Sequence, residues 1–173
     1  MITLANMGLP MIGVVWSAGW LLLIPITLIE WKLACGLLKI PARAGLEVAG
    51  IANLASTILA IPVAWGFMFI LALLTPYSGI DSFLGVVNNV VVHSAWLAPW
   101  GGEENWMVTA AAATLCVPFF FASVLCEGLI AKSFLLSKFP QAPWWRWAWM
   151  ANTATYGGIV VCLLGLLLFQ LNR

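Results

Sequence analysis

Ala52-Asn53-Leu54-Ala55-Ser56-Thr57 and Ala151-Asn152-Thr153-Ala154-Thr155-Tyr156 stand near the starts of two long apolar runs. Across a short basic stretch, each is preceded by a glutamate near the end of an earlier apolar run, Glu30 in the first case and Glu127 in the second. A carboxylate or an amide is costly to place in lipid, so such groups inside apolar segments point to a specific partner or a function. Their repetition sets an organisation: a carboxylate closes one hydrophobic segment, an amide opens the next, and the pattern then recurs.

The surrounding composition fixes the solvent. Of 173 residues, 64% are hydrophobic and 8% charged, whereas soluble domains carry about a quarter charged residues. So few charges cannot build a water-facing surface, and only helices or closed barrels satisfy their backbone in hydrocarbon. An all-α integral membrane protein embedded in the lipid bilayer is therefore predicted. The net charge of +1, with no basic tail, argues against a nucleic-acid partner. Cys35, Cys116, Cys126 and Cys162 show no CxxC spacing and read as small packing residues rather than a redox site or disulfide. No Lys or Arg precedes Lys32, so Met1–Pro10 is not expected to be a cleaved leader. Position two is Ile2 and the C-terminus has no prenylation cysteine, so lipid attachment is not expected.

A membrane span needs about 20 apolar residues. Four stretches qualify: residues 8–29, 48–74, 107–130 and 147–171. Pro25, Pro62 and Pro118 lie inside them, which membrane helices tolerate with local bends because neighbouring groups satisfy the freed carbonyls. Lys32, Lys39 and Arg43 fall between spans one and two, and Lys132, Lys138 and Arg146 between spans three and four. By the positive-inside rule both short connections are cytoplasmic. Both termini then lie outside, in the manner of a bacterial inner-membrane protein. Trp144, Trp145, Trp147 and Trp149 crowd the start of span four, as expected for indoles anchored at an interface.

The chain reads as one membrane domain, residues 1–173. Residues 8–75 form a first helical hairpin, residues 76–106 an external segment and residues 107–173 a second hairpin. The middle segment contains an apolar run, residues 83–93, of a length more typical of interfacial or re-entrant helices than of spans. Asp81 or Ser82 is placed to cap it. Asp81 and His93 form a weak external candidate site, with Glu103 and Glu104 nearby in sequence, but the spacing carries no metal signature. A lone histidine excludes bis-histidine haem ligation within the chain.

Glu30 and Glu127 are 97 positions apart, and Asn53 and Asn152 are 99 apart. The two-residue difference falls in the loop, where insertions are tolerated, and it sets Ser56 against Thr155 and Thr57 against Tyr156. Because each half has two spans, the halves insert the same way. That predicts a parallel repeat with a pseudo-two-fold axis along the membrane normal and a four-helix bundle. At about 1.5 Å of rise per residue, Glu127 lies roughly 7 Å inward of Lys132 and Asn152 roughly 9 Å inward of Arg146. Carboxylate and amide share a level, with Glu30 shallower because Lys32 is near.

Helical faces group Asn53 with Ala49 and Thr57, and Asn152 with Ala148 and Thr155. Small and polar residues line helix contacts in lipid. The expected site is thus Glu30, Asn53, Thr57, Glu127, Asn152 and Thr155, a polar clasp closing each hairpin or an ion site. No P-loop, nucleophile elbow, HExxH motif or dinucleotide fingerprint is present, and no catalytic residue or cofactor is expected. The function predicted first is a non-catalytic structural or accessory subunit, homo- or hetero-oligomeric with other membrane chains. A small oligomeric transporter or channel using Glu30 and Glu127 is the second. An intramembrane enzyme acting on a lipid-like substrate is the third.

Overall fold

The computed structural model describes residues 8–74, 90 and 105–172. The described chain is helical, with four long helices: α1 (Gly8–Leu38), α2 (Ala42–Leu74), α3 (Asn105–Leu135) and α4 (Trp144–Leu171). Trp20–Leu38 of α1, Thr109–Leu135 of α3 and the whole of α4 are long and apolar enough to cross a membrane. The segment between α2 and α3, including Asp81 and His93, lies outside the described residues apart from Val90.

Each helix outruns its apolar stretch at the end facing a short connection. α1 continues past Ile29 to Leu38, α2 begins at Ala42 rather than Val48, α3 continues past Ile130 to Leu135, and α4 begins at Trp144. Hydropathy marks the hydrocarbon slab, whereas the backbone ladder persists beyond it. Lys32, Arg43, Lys132 and Arg146 lie in those extensions and are exposed. Pro25, Pro62 and Pro118 all sit within unbroken helices.

The α1–α2 connection is only residues 39–41, and Lys39 adopts φ 53° to make it. A left-handed residue just past a helix end is a common stop, although glycine usually fills it. Residues 136–143 connect α3 to α4 through a compact turn, in which Phe139 donates to Leu135 O at 2.6 Å and Ala142 to Phe139 O at 3.0 Å. Pro143 precedes α4, where a missing N–H costs little.

Around the bundle α1 neighbours α2, α2 neighbours α3, α3 neighbours α4, and α4 returns to α1. The apolar core lies toward the two short connections. It contains Ala34 and Leu38 of α1, Val48, Ala49 and Ala52 of α2, Ala131 and Leu135 of α3, and Trp147, Ala148 and Ala151 of α4. So many alanines let the backbones approach closely, the usual means of helix association in lipid. Leucine and phenylalanine cover the outside: Leu21, Ile24, Phe69, Phe121, Leu125 and Leu168 are each more than half exposed.

Candidate functional site

One helical turn beyond the alanine core, six polar side chains begin to meet. Glu30 stands eight residues before the end of α1 and Glu127 eight before the end of α3, so the two carboxyls enter the bundle at one level. Glu30 is 1% and Glu127 2% exposed. Both are buried among the helices. Lys32 is turned outward, while the indole of the fully buried Trp147 covers Glu30 and donates from Nε1 to its backbone carbonyl at 3.1 Å.

The amides come from α2 and α4. Asn53 Nδ2 donates to Glu30 Oε2 at 2.5 Å and to Ala49 O at 2.9 Å. Asn152 Nδ2 donates to Glu127 Oε2 at 2.7 Å and to Ala148 O at 3.0 Å. In both helices an alanine one turn earlier leaves its carbonyl open to the amide. Both hydrogens of each amide nitrogen are thus used, one on a carboxylate and one on the helix itself.

The hydroxyls cross between the halves of the chain. Ser56 Oγ of α2 donates to Glu127 Oε1 of α3 at 2.8 Å. Thr155 Oγ1 of α4 donates to Glu30 Oε1 of α1 at 3.2 Å. Every carboxylate oxygen is reached by a protein donor, and each carboxylate is held by one amide from the adjacent helix in its own half and one hydroxyl from the other half. The two carboxyl groups also lie within side-chain reach of each other.

The structure thus brings Glu30, Asn53, Glu127, Asn152 and Thr155 together. Thr57 is half-buried and donates nothing to the cluster. Ser56, 7% exposed, is the hydroxyl of α2 that reaches it. The 99-position offset pairs Ser56 with Thr155 and was the available signal, whereas counting one full turn from Asn53 selects Thr57. Trp147 belongs to the site too, although the dense tryptophans around it suggested an interfacial anchor.

Among the described residues no cation faces the pair, and the one ion pair there joins Arg43 to Glu47 at 3.1 Å on the outside of α2. No group of three His, Cys, Asp or Glu side chains comes together among them either. Beyond the cluster, Ser123 and Tyr156 share a hydrogen bond of 2.9 Å, and Thr109 donates to Gln170 at 2.9 Å near the far end of α3 and α4. A shallow surface pocket on α3 is lined by Leu129, Ile130, Ser133 and Phe134, none of them in the cluster.

Compared with protein-family models, curated proteins and solved structures, the chain matches none.

Proposed function

We propose that the chain is a non-catalytic multi-pass membrane protein, a structural or accessory subunit that packs with other membrane chains as a homo- or hetero-oligomer. The observation that carries this reading is the closure of the polar cluster: two buried carboxylates whose four oxygens all take donors from the protein itself. A substrate site would leave polar groups aimed at a cavity. Here they are aimed at one another, which makes the cluster a lock joining four helices.

In this reading all four helices span the bilayer, as two hairpins related by a pseudo-two-fold axis along the membrane normal. The equivalence of Glu30 with Glu127, Asn53 with Asn152 and Ser56 with Thr155 supports it. So does the paired core, Ala34 with Ala131, Leu38 with Leu135, Ala49 with Ala148 and Ala52 with Ala151. Both short basic connections face the cytoplasm, in a bacterial inner membrane.

Among the described residues, the second half carries an aromatic outer surface. Phe121, Phe120, Trp149, Trp145 and Trp144 form a continuous chain of edge-to-face rings on α3 and α4. A broad aromatic face on one hairpin suits a neighbouring membrane chain. Light scattering of the protein in mild detergent tests this. An assembly larger than one chain, with Trp145 and Trp149 shielded from brominated lipid, is expected. A monomer with both indoles quenched refutes it.

The absence of a positive side chain beside the two carboxylates, among the described residues, favours a second reading: passage of an ion through an oligomer. In reconstituted vesicles, Glu127→Gln then abolishes ion flux while the helices remain folded. Flux that is absent in the unaltered protein removes this reading.

A further inference from the structure

We infer that an anionic phospholipid binds at the end of α3, with an acyl chain along the groove of Leu129, Ile130, Ser133 and Phe134 and its phosphate on Lys138. The site goes beyond the subunit role proposed above. It rests on one part of that reading, the placement of the short connections at a membrane surface.

The groove holds about 420 Å³ and is open along its side. Leu129 is 51% exposed, and Leu125, one turn deeper, is 55% exposed. The apolar row therefore runs from the helix end toward the middle of the bilayer. Such a surface suits a hydrocarbon chain laid along the helix rather than an enclosed solute. Its one polar side chain, Ser133, donates to Leu129 O at 2.9 Å, so its hydrogen is already placed.

The charge sits at the rim of that groove. Lys138 Nζ lies 5.0 Å from the centroid of the Phe134 ring, which itself lines the groove. The turn that carries Lys138 is fixed by two bonds to Leu135 O, from Lys138 N at 3.1 Å and Phe139 N at 2.6 Å. An ammonium has three N–H donors, and a ring face covers only one side of it. Lys138 is exposed, so the other donors point to where headgroups lie.

Nothing acidic answers this charge. Lys132, Lys138 and Arg146 are all exposed, and the chain has no Asp or Glu from Gly128 to Arg173. In the first half, by contrast, Arg43 pairs with Glu47 at 3.1 Å. Topology alone accounts for basic residues in this connection, but it does not require an ammonium at the mouth of an apolar groove. Basic sites between or beside membrane helices hold anionic headgroups. A zwitterionic lipid brings a cation of its own, and free phosphate brings no chain. Gly128 and Lys132 face Trp145 and Trp144 of α4. The groove begins on the next row around α3, clear of that aromatic face.

The test titrates the purified, delipidated full chain in detergent with dioleoylphosphatidylglycerol, the phosphatidylcholine of the same chains, or glycerol phosphate. Native mass spectrometry reads the complexes. One phosphatidylglycerol per chain is expected, at least about five-fold tighter than phosphatidylcholine, the factor one basic residue contributes near a membrane surface. Lys138→Gln should weaken it about five-fold, and Ser133→Trp, which fills the groove, should also weaken it. Lys32→Gln, exposed at the same end of α1, should leave it unchanged. Equal binding of the two lipids overturns the proposal. So does an equal loss in Lys32→Gln, full competition by glycerol phosphate, or a dimer that forms in place of the lipid complex. Ser137→Cys, in the same turn, reports the surface placement by reacting with an impermeant thiol reagent in open membrane fragments, above the background of the unaltered chain. If it reacts and no lipid preference is found, the lipid site alone falls. If it does not react, the placement on which the site rests falls with it.

Discussion

Removing the Ser56 hydroxyl tests whether the two halves of the chain are tied by crossed hydrogen bonds. Ser56→Ala deletes one oxygen, leaves a void smaller than a water molecule, and removes the 2.8 Å bond to Glu127. Hydrogen bonds to charged groups contribute about 1.5–3 kcal/mol in soluble proteins, whereas interhelical bonds in a membrane average about 0.6 and reach about 1.7 kcal/mol. A short bond to a buried carboxylate belongs in the upper part of the membrane range, about 1–1.5 kcal/mol. Thr155→Val should cost less, about 0.5 kcal/mol, because that bond is longer at 3.2 Å and the hydroxyl has a local acceptor at 3.1 Å. Ser133→Ala is the control: Ser133 is exposed and bonds only Leu129 O of its own helix, so a change within about 0.5 kcal/mol is expected. Reversible unfolding in mixed micelles, read by tryptophan fluorescence, gives all three values. Repeating Ser56→Ala in a Glu127→Met background should shrink its cost to within about 0.5 kcal/mol, since the partner is gone. An undiminished cost there, or a Ser133→Ala cost equal to that of Ser56→Ala, refutes the crossed bond.

Trp147→Phe keeps an aromatic ring but removes the donor to the Glu30 carbonyl. A loss of about 1–2 kcal/mol is expected in the same unfolding assay, from the bond and the smaller ring together. Gly128→Ala places a Cβ 2.6 Å from the Trp145 ring, so a loss of about 1–3 kcal/mol from overpacking is expected. Gly50→Ala meets nothing within 4 Å and should be neutral or stabilising by up to about 1 kcal/mol. Lys39→Gly, at φ 53°, should raise stability by about 0.5–1 kcal/mol by removing the left-handed strain, measurable as an increase in Tm.

Much of the site could be read from rarity alone. Glu30, Asn53, Glu127 and Asn152 are conspicuous because lipid makes each of them expensive, and the offsets of 97 and 99 align them. Helical rise placed carboxylate and amide at one level. What sequence could not supply was the choice of neighbour. Periodicity says which face a residue occupies but not which helix lies opposite, so the crossing of Ser56 to Glu127 and Thr155 to Glu30 was invisible. Ser56 and Thr57 flank the same face, and only the contact with α3 separates them. Trp147 has the composition signature of an anchor, and its burial depends on α1 lying against α4. The helix ends were also hidden, because hydropathy reports where hydrocarbon stops rather than where backbone bonding stops.

Two tight glycines keep the hairpin arms from being interchangeable. In the first half the bulky partner is Trp31 on α1, and Gly45 on α2 makes room: a Cβ added there would lie 3.3 Å from that indole and 2.8 Å from Cys35 Sγ. In the second half the arrangement is inverted. Gly128, which the 97-position offset sets against Trp31, makes room on α3 for Trp145 of α4. On the proposed reading of two related hairpins, two chains meeting in a bilayer have the means to trade arms. Such a trade would set Trp31 against Trp144, which the 99-position offset matches to Gly45, and Gly128 against Leu46, which it matches to Trp145: a collision in one pair and a loose fit in the other. The inverted bulk thus acts as a key and its ward, making each arm faithful to its own partner even though the polar lock beneath would accept either.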